Sequence, residues 1–210
     1  MSKIKLPSKP PKIDMTPMVD LFMLLLTFFM LTTSFIPQEA VQVDTPSSIS
    51  DKLSPTKNVM TILIGKDDKV FFNIDNGNDS SAHVRSQVLQ DVGNYFGVKF
   101  TKEQIKTFAN SGSFGMPIKK LAAWIDATDP KEKQAMQIGI PIDSVRGGSE
   151  LSMWVHFSRL ANPYAEAAIK GDFNADYTTV KKLLDILQDK KVNKFNLTTN
   201  LQKVEVKKIK

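Results

Sequence analysis

The sequence predicts a single transmembrane helix joined by a linker to a small α+β domain, in which helices pack on a small sheet. Three observations predict it: an apolar run near the N-terminus that holds one charge, two β-rich runs separated by a turn, and an apolar stripe at helical spacing set between strand patterns near the C-terminus. Over 210 residues the mean hydropathy is −0.19 and the net charge +6. Those averages describe an ordinary basic soluble domain only because they blend an intensely apolar segment with a charged remainder: +3 before the run, −1 within it and +4 after it. The absence of cysteine excludes disulfides, cysteine nucleophiles and thiolate metal sites. The two histidines, His83 and His156, are far apart in sequence, so a histidine-rich metal site is not expected either.

Residues 1–16 form a basic tail, with Lys3, Lys5, Lys9 and Lys12 against Asp14. Residues 17–36, PMVDLFMLLLTFFMLTTSFI, follow as the span: 14 of these 20 residues are apolar and Asp20 is their only charge. A helix rises 1.5 Å per residue, so about 20 residues match a hydrocarbon core of roughly 30 Å. Pro17 suits the first helical turn, where its missing N–H is not needed. The basic flank precedes the run and Gln38, Glu39 and Asp44 follow it, which places the N-terminus in the cytoplasm and residues 37–210 outside it. A cleaved signal peptide has a shorter apolar region, no acid, and a small-x-small site that SFIPQEAVQ does not supply. A soluble core helix of this length and purity is rarer still.

Asp20 is the chemical question of the segment. An ionised carboxylate near the centre of a membrane helix costs roughly 2.5 to 3.5 kcal/mol on insertion scales, and the cost falls when the group takes up a proton. Such a side chain suits a proton carrier, since a proton crossing the membrane field releases about 2.3 kcal/mol per 100 mV. Thr16, Asp20, Thr27 and Ser34 stand at offsets of −4, 0, +7 and +14, one polar stripe that implies a partner surface or a water-lined path. The competing reading is that Asp20, three residues into the span, anchors the helix at the interface while the hydroxyls bond back to helix carbonyls.

The segment KIDMTPMVDLFMLLLTFFML resembles the membrane segment of the ExbD/TolR family, in which a polar residue is followed by T-P, two apolar residues, D and a Leu/Met/Phe-rich helix; Thr16, Pro17 and Asp20 match in register. The resemblance implies a proton-motive-force stator in the inner membrane, not an enzyme, with protons as coupling ion and no other cofactor. It implies two copies of this helix inside a ring of a polytopic ExbB/TolQ-like partner. Proton passage at Asp20 then drives motion passed to a TonB- or TolA-like transducer, and the outer domain is periplasmic.

Residues 37–57 read as a flexible linker with a short strand at Ala40 to Val43. From residue 58 onward the outer domain begins. VMTILI and VFFNI, joined by GKDDK, signal a hairpin of the kind the family also has after its linker. Residues from about 78 to 148 fall outside the resemblance, which covers residues 12–46, 59–74 and 164–200, and read as an insertion forming an extra lobe or partner surface. Within it Val84, Val88, Val92 and Phe96 share a helical face, Thr101 to Gln104 is a capping box, and Ile118, Leu121, Ala122 and Ile125 form another stripe. Arg146 to Ser149 is a turn whose Ser149 caps a helix packed through Leu151, Trp154, Val155 and Leu160.

A strand through Ala165 to Lys170, a helix with Tyr177, Val180, Leu183, Leu184 and Leu187 on its packed face, and a strand from Lys194 to Thr198 close the domain. Asn174 or Asp176 caps that helix. In the family a D-x-x-x-x-Y element stands here, matched by Asp172 and Tyr177, both read as structural. The alternating, lysine-rich C-terminus LQKVEVKKIK reads as an edge strand kept soluble by charge. No catalytic, metal or cofactor-binding residues are expected: the chain has no glycine-rich phosphate loop and no paired carboxylates in a suggestive context. The dispersed positive charge argues against nucleic acid. Two other functions stay open: a TolR-like subunit for envelope maintenance whose outer domain binds peptidoglycan, and a binding module for which the span is only an anchor.

Overall fold

The computed structural model describes residues 15–32, 40–41, 43–48, 58–75, 84–143, 148–192 and 194–201. The chain divides into two compact units, Met1–Ile36 and Pro37–Lys210. Several expectations lie outside the described residues: the tail lysines, Ser34 and the end of the span, parts of the linker, His83, Arg146 with Gly147, and residues 202–210.

The described residues of the first unit hold one helix, α1 (Thr16–Thr32), of 17 residues. It starts as expected, with Pro17 in its first turn, and at 1.5 Å per residue it is about 25 Å long. Among the described residues no helix is long and apolar enough to cross a membrane. The expected span extends four residues further, to residue 36, beyond what is described.

The second unit holds two sheets and six helices among its described residues. β2 (Val59–Ile64) and β3 (Val70–Ile74) form the expected hairpin; the turn closes through Gly65 and Lys69, with Asp68 in the left-handed region at φ 58°. β4 (Glu166–Gly171) pairs in parallel with β2, and β5 (Phe195–Leu197) in parallel with β4, so the main sheet runs β3-β2-β4-β5. Between β3 and β4 come α2 (Val84–Phe96), α3 (Lys102–Ala109), α4 (Ile118–Asp126), α5 (Pro130–Ala135) and α6 (Glu150–Ala161). α7 (Tyr177–Asp189) connects β4 to β5.

Alternation along the hairpin decides where the core sits. Met60, Ile62 and Ile64 of β2 and Val70, Phe72 and Ile74 of β3 share one face, and all are buried with residues of α2, α3, α4, α6 and α7 in one apolar cluster. The stretch read as an inserted lobe therefore supplies the main core: Val88, Leu89 and Val92 of α2, Phe108, Phe114, and Leu121 of α4 join the sheet residues there. The reason lies in the sheet, whose central strand β2 is buried along most of its length and needs a helical layer to cover it. Phe72 and Phe114 exchange main-chain hydrogen bonds of 2.7 and 2.9 Å, so the loop before α4 also covers the β3 edge.

Local signals hold closely. Thr101 and Gln104 form the reciprocal capping box of α3, Ser149 caps α6 by accepting from Ser152 N at 3.2 Å, and Asp176 caps α7 by accepting from Thr178 N. Two side-chain expectations fail. Tyr177 is 74% exposed and Leu160 62% exposed. Both stand at helix ends, Leu160 next to last in α6 and Tyr177 first in α7. The expected strand at Ala40 to Val43 is absent from the described residues of that stretch; β1 is instead Ser47–Ser48, paired in parallel with β6 (Asn200–Leu201).

The described linker residues are bound to the domain by their main chain. Ala40 N donates to Ser113 Oγ at 2.5 Å, Asp44 N to Asp172 Oδ2 at 3.1 Å, and Phe173 N to Asp44 O at 2.9 Å; Thr45 is buried. Linker composition said nothing of this, because the bonds use backbone groups that every residue carries.

Candidate functional site

Within α1, Asp20 is the only ionisable side chain. All 17 residues of the helix are exposed in the isolated chain, including Leu25 and Phe29 at more than half of their area. Thr16, Asp20 and Thr27 keep their common side because offsets of −4 and +7 return to the same face at 3.6 residues per turn. The Thr27 hydroxyl donates to Leu24 O at 2.9 Å, and Thr32, absent from the expected stripe, donates to Phe28 O at 2.9 Å. Those hydroxyls thus bond back to helix carbonyls, which hides their polarity from an apolar medium and leaves Asp20 as the distinctive group of the described stripe.

A second polar centre lies where the hairpin turn, the linker and the β4–α7 turn meet. Asp172 Oδ1 accepts from Asn174 N at 3.0 Å and from Asn174 Nδ2 at 3.3 Å, while Oδ2 accepts from Asp44 N. The Asn174 N–H, ahead of the Asp44 N–H and the nearby Lys66 charge, holds the Asp172 carboxyl below its ordinary range. Asp68 Oδ1 accepts from Asp176 N at 2.7 Å, tying hairpin turn to helix cap. These acids act as acceptors for main-chain N–H groups, as the structural reading of Asp172 expects, and no group of three or more His, Asp or Glu able to hold a metal ion occurs among the described residues. His156 is exposed, with its ring against Phe157.

Two charged groups escaped sequence reasoning. Arg85 on α2 is 3% exposed: Nε donates to Phe108 O at 3.3 Å, Nη1 to Asn73 Oδ1 at 2.6 Å and Ile74 O at 2.9 Å, and Nη2 to Gly112 O at 2.8 Å, with the guanidinium 4.9 Å above the Phe108 ring. Burial lowers its pKa to about 10, against the raising influence of Asp75. The signal was present: Arg85 precedes Val88 and Leu89 by three and four residues, so it falls on the buried face. Glu150 in the first turn of α6 accepts from Ile118 N at 2.6 Å and caps α4, whose own N-cap Pro117 has no side-chain donor or acceptor. Its partial burial raises the carboxyl pKa, opposed by the Ile118 N–H and the Trp154 side chain.

With this geometry in view, a family model described as Biopolymer transport protein ExbD/TolR matches residues 7–202. The match runs through residues 78–148, so the resemblance extends across the stretch read as lying outside it. No curated protein matches the chain, and no solved structure does.

Proposed function

The chain belongs to the ExbD/TolR family of biopolymer transport proteins, and from that premise we propose that it is the proton-carrying stator subunit of an ExbB-ExbD-type inner-membrane motor energising TonB-dependent transport across the outer membrane. The observation that carries the reading is Asp20, the one ionisable side chain of an apolar helix, in the T-P-x-x-D register of Thr16, Pro17 and Asp20.

In this reading residues 17–36 span the membrane once, with the basic tail in the cytoplasm and residues 37–210 in the periplasm. Two copies of the helix sit within a ring of an ExbB/TolQ-like protein. Asp20 takes up a proton from one side and releases it to the other, and each proton crossing the field releases about 2.3 kcal/mol per 100 mV to drive motion. Thr16, Thr27 and Ser34 line the same side of the helix. The outer domain passes the motion to a TonB- or TolA-like transducer.

Asp20→Asn tests this directly. The variant inserts at normal levels and loses energy-dependent uptake; unchanged uptake at normal levels sinks the proton role and leaves the helix as an anchor. Pull-down of the intact chain recovers a polytopic ring-forming subunit. Capture of peptidoglycan fragments by residues 58–210, with uptake intact in a deletion strain, reassigns the output to TolR-like envelope maintenance.

A further inference from the structure

Residues 37–57 have the composition of a linker, yet the described part of them lies bound along the outer domain, by attachments that succeed one another along the chain. Ala40 N donates to Ser113 Oγ at 2.5 Å, in the loop between α3 and α4. Val41 reaches the hairpin turn, where a Cβ added at Gly65 would meet its Cγ2 at 3.8 Å. Asp44 then exchanges two bonds with the β4–α7 turn: its N–H donates to Asp172 Oδ2 at 3.1 Å and its carbonyl accepts from Phe173 N at 2.9 Å. Ser47 and Ser48 pair with Asn200 and Leu201.

The setting of these attachments makes them weak. Among the described side chains of this segment Thr45 alone is buried, while Asp44, Pro46 and Ser47 are exposed. The bond between Asp44 and Asp172 is exposed as well, so each of its groups trades a water for the other at little net gain. Few buried apolar groups and exposed main-chain bonds put a segment at the low end of local stability, well below the buried strands of the hairpin. Order matters too. A pull from the N-terminal side loads the Ala40 bond first, then those of Asp44, then β1, so the bonds part in turn and their strengths do not add.

We propose that residues 40–48 form a releasable strap, closed on the outer domain at rest and peeled from it, Ala40 first, when the linker is drawn from its N-terminal end. The draw itself rests on the motor reading above; the readiness of the strap to open does not. Ala40 and Val41 also form one side of a cleft of about 940 Å³ whose charged lining residues are Lys131 and Lys133, so peeling opens that wall while the main sheet stays intact.

Amide hydrogen exchange of the full-length chain in detergent, read by NMR, tests the opening. Relative to their intrinsic rates, the Ala40 and Asp44 amides are expected to exchange at least about a hundredfold faster than the Phe72 amide of β3, with Ala40 ahead of Asp44. Asp172→Ala speeds Asp44 by about three- to tenfold and leaves Phe72 unchanged. Equal protection of Asp44 and Phe72, or a Phe72 that accelerates together with Asp44 in the variant, overturns the proposal, because the segment then opens only with the whole domain. The chain has no cysteine, so Ala40→Cys with Ser113→Cys supplies its single thiol pair, which a short reducible reagent crosslinks. Energy-dependent uptake is expected to be lost on crosslinking and to return on reduction; full uptake in the crosslinked state overturns the peeling. Uptake retained by Asp20→Asn removes the motor reading alone, and amide exchange still decides the strap.

Discussion

Leucine is used in opposite ways in the two units of this molecule. Leu25 in α1 is 51% exposed, and α1 buries no residue; Leu121 in α4 is fully covered, within a cluster that runs from the hairpin to α7. The chemistry of the side chain is the same, so the difference lies in what surrounds it. A helix that is apolar all round needs an apolar surrounding, whereas α4 carries a stripe and finds its cover within the domain. Polar groups divide the same way. Thr27 and Thr32 satisfy themselves on their own helix, while Arg85 and Glu150 are satisfied by distant elements.

The contrast is broken most severely at Arg85. Arg85→Met leaves the Ile74, Phe108 and Gly112 carbonyls and the Asn73 amide oxygen without this donor, and is expected to lower the unfolding free energy by about 3–5 kcal/mol in urea titration. A loss below about 1 kcal/mol means those acceptors find other donors. Leu121→Ala opens a cavity in the core and costs about 2–5 kcal/mol. At Gly115 an added Cβ would stand 2.1 Å from Phe71 Cδ1, so Gly115→Ala displaces that ring and costs about 1–3 kcal/mol; an unchanged denaturation midpoint refutes the close approach.

Glu150 sharpens the comparison through pH. Because its folded carboxyl pKa lies above the ordinary 4.5, the folded state binds the proton more tightly than the unfolded chain does. Its contribution is therefore greatest below that ordinary value and declines as pH rises through the folded value. Glu150→Gln keeps an acceptor for Ile118 N and removes the decline, so the variant gains on the wild type as pH rises from the ordinary 4.5 through the folded value. Parallel stability curves contradict this. The smallest effect belongs to α1: Leu25→Ala leaves the unfolding of the outer domain within about 0.5 kcal/mol, and a larger change shows that α1 is coupled to that domain.

Much of the local structure was legible. The hairpin residues 59–64 and 70–74, the capping box at Thr101 and Gln104, the Ser149 cap and the Leu183–Leu187 stripe are all set by neighbours within four residues, where periodicity and capping operate. Tyr177 and Leu160 show the limit, since a stripe tells which way a side chain faces but not whether another element reaches it. Arg85 shows the converse: charge argued for solvent, and four distant acceptors overruled it. The linker escaped because its anchoring bonds belong to the backbone.

By itself, then, the sequence determined the apolar helix with its single acid at position 20, the family register of Thr16 and Pro17, and the order of the main-sheet strands and the longer helices beyond the linker, though not α5 or the β1–β6 pair. Only the tertiary structure decided that residues 84–125 complete the core of the outer domain, that Arg85 and Glu150 are internal pins, and that a basic cleft opens beside Ala40 and Val41. The physical reason is range: helix and strand periodicity is written in adjacent turns, while burial, pKa and cavities depend on groups that meet only when segments far apart in the chain pack together.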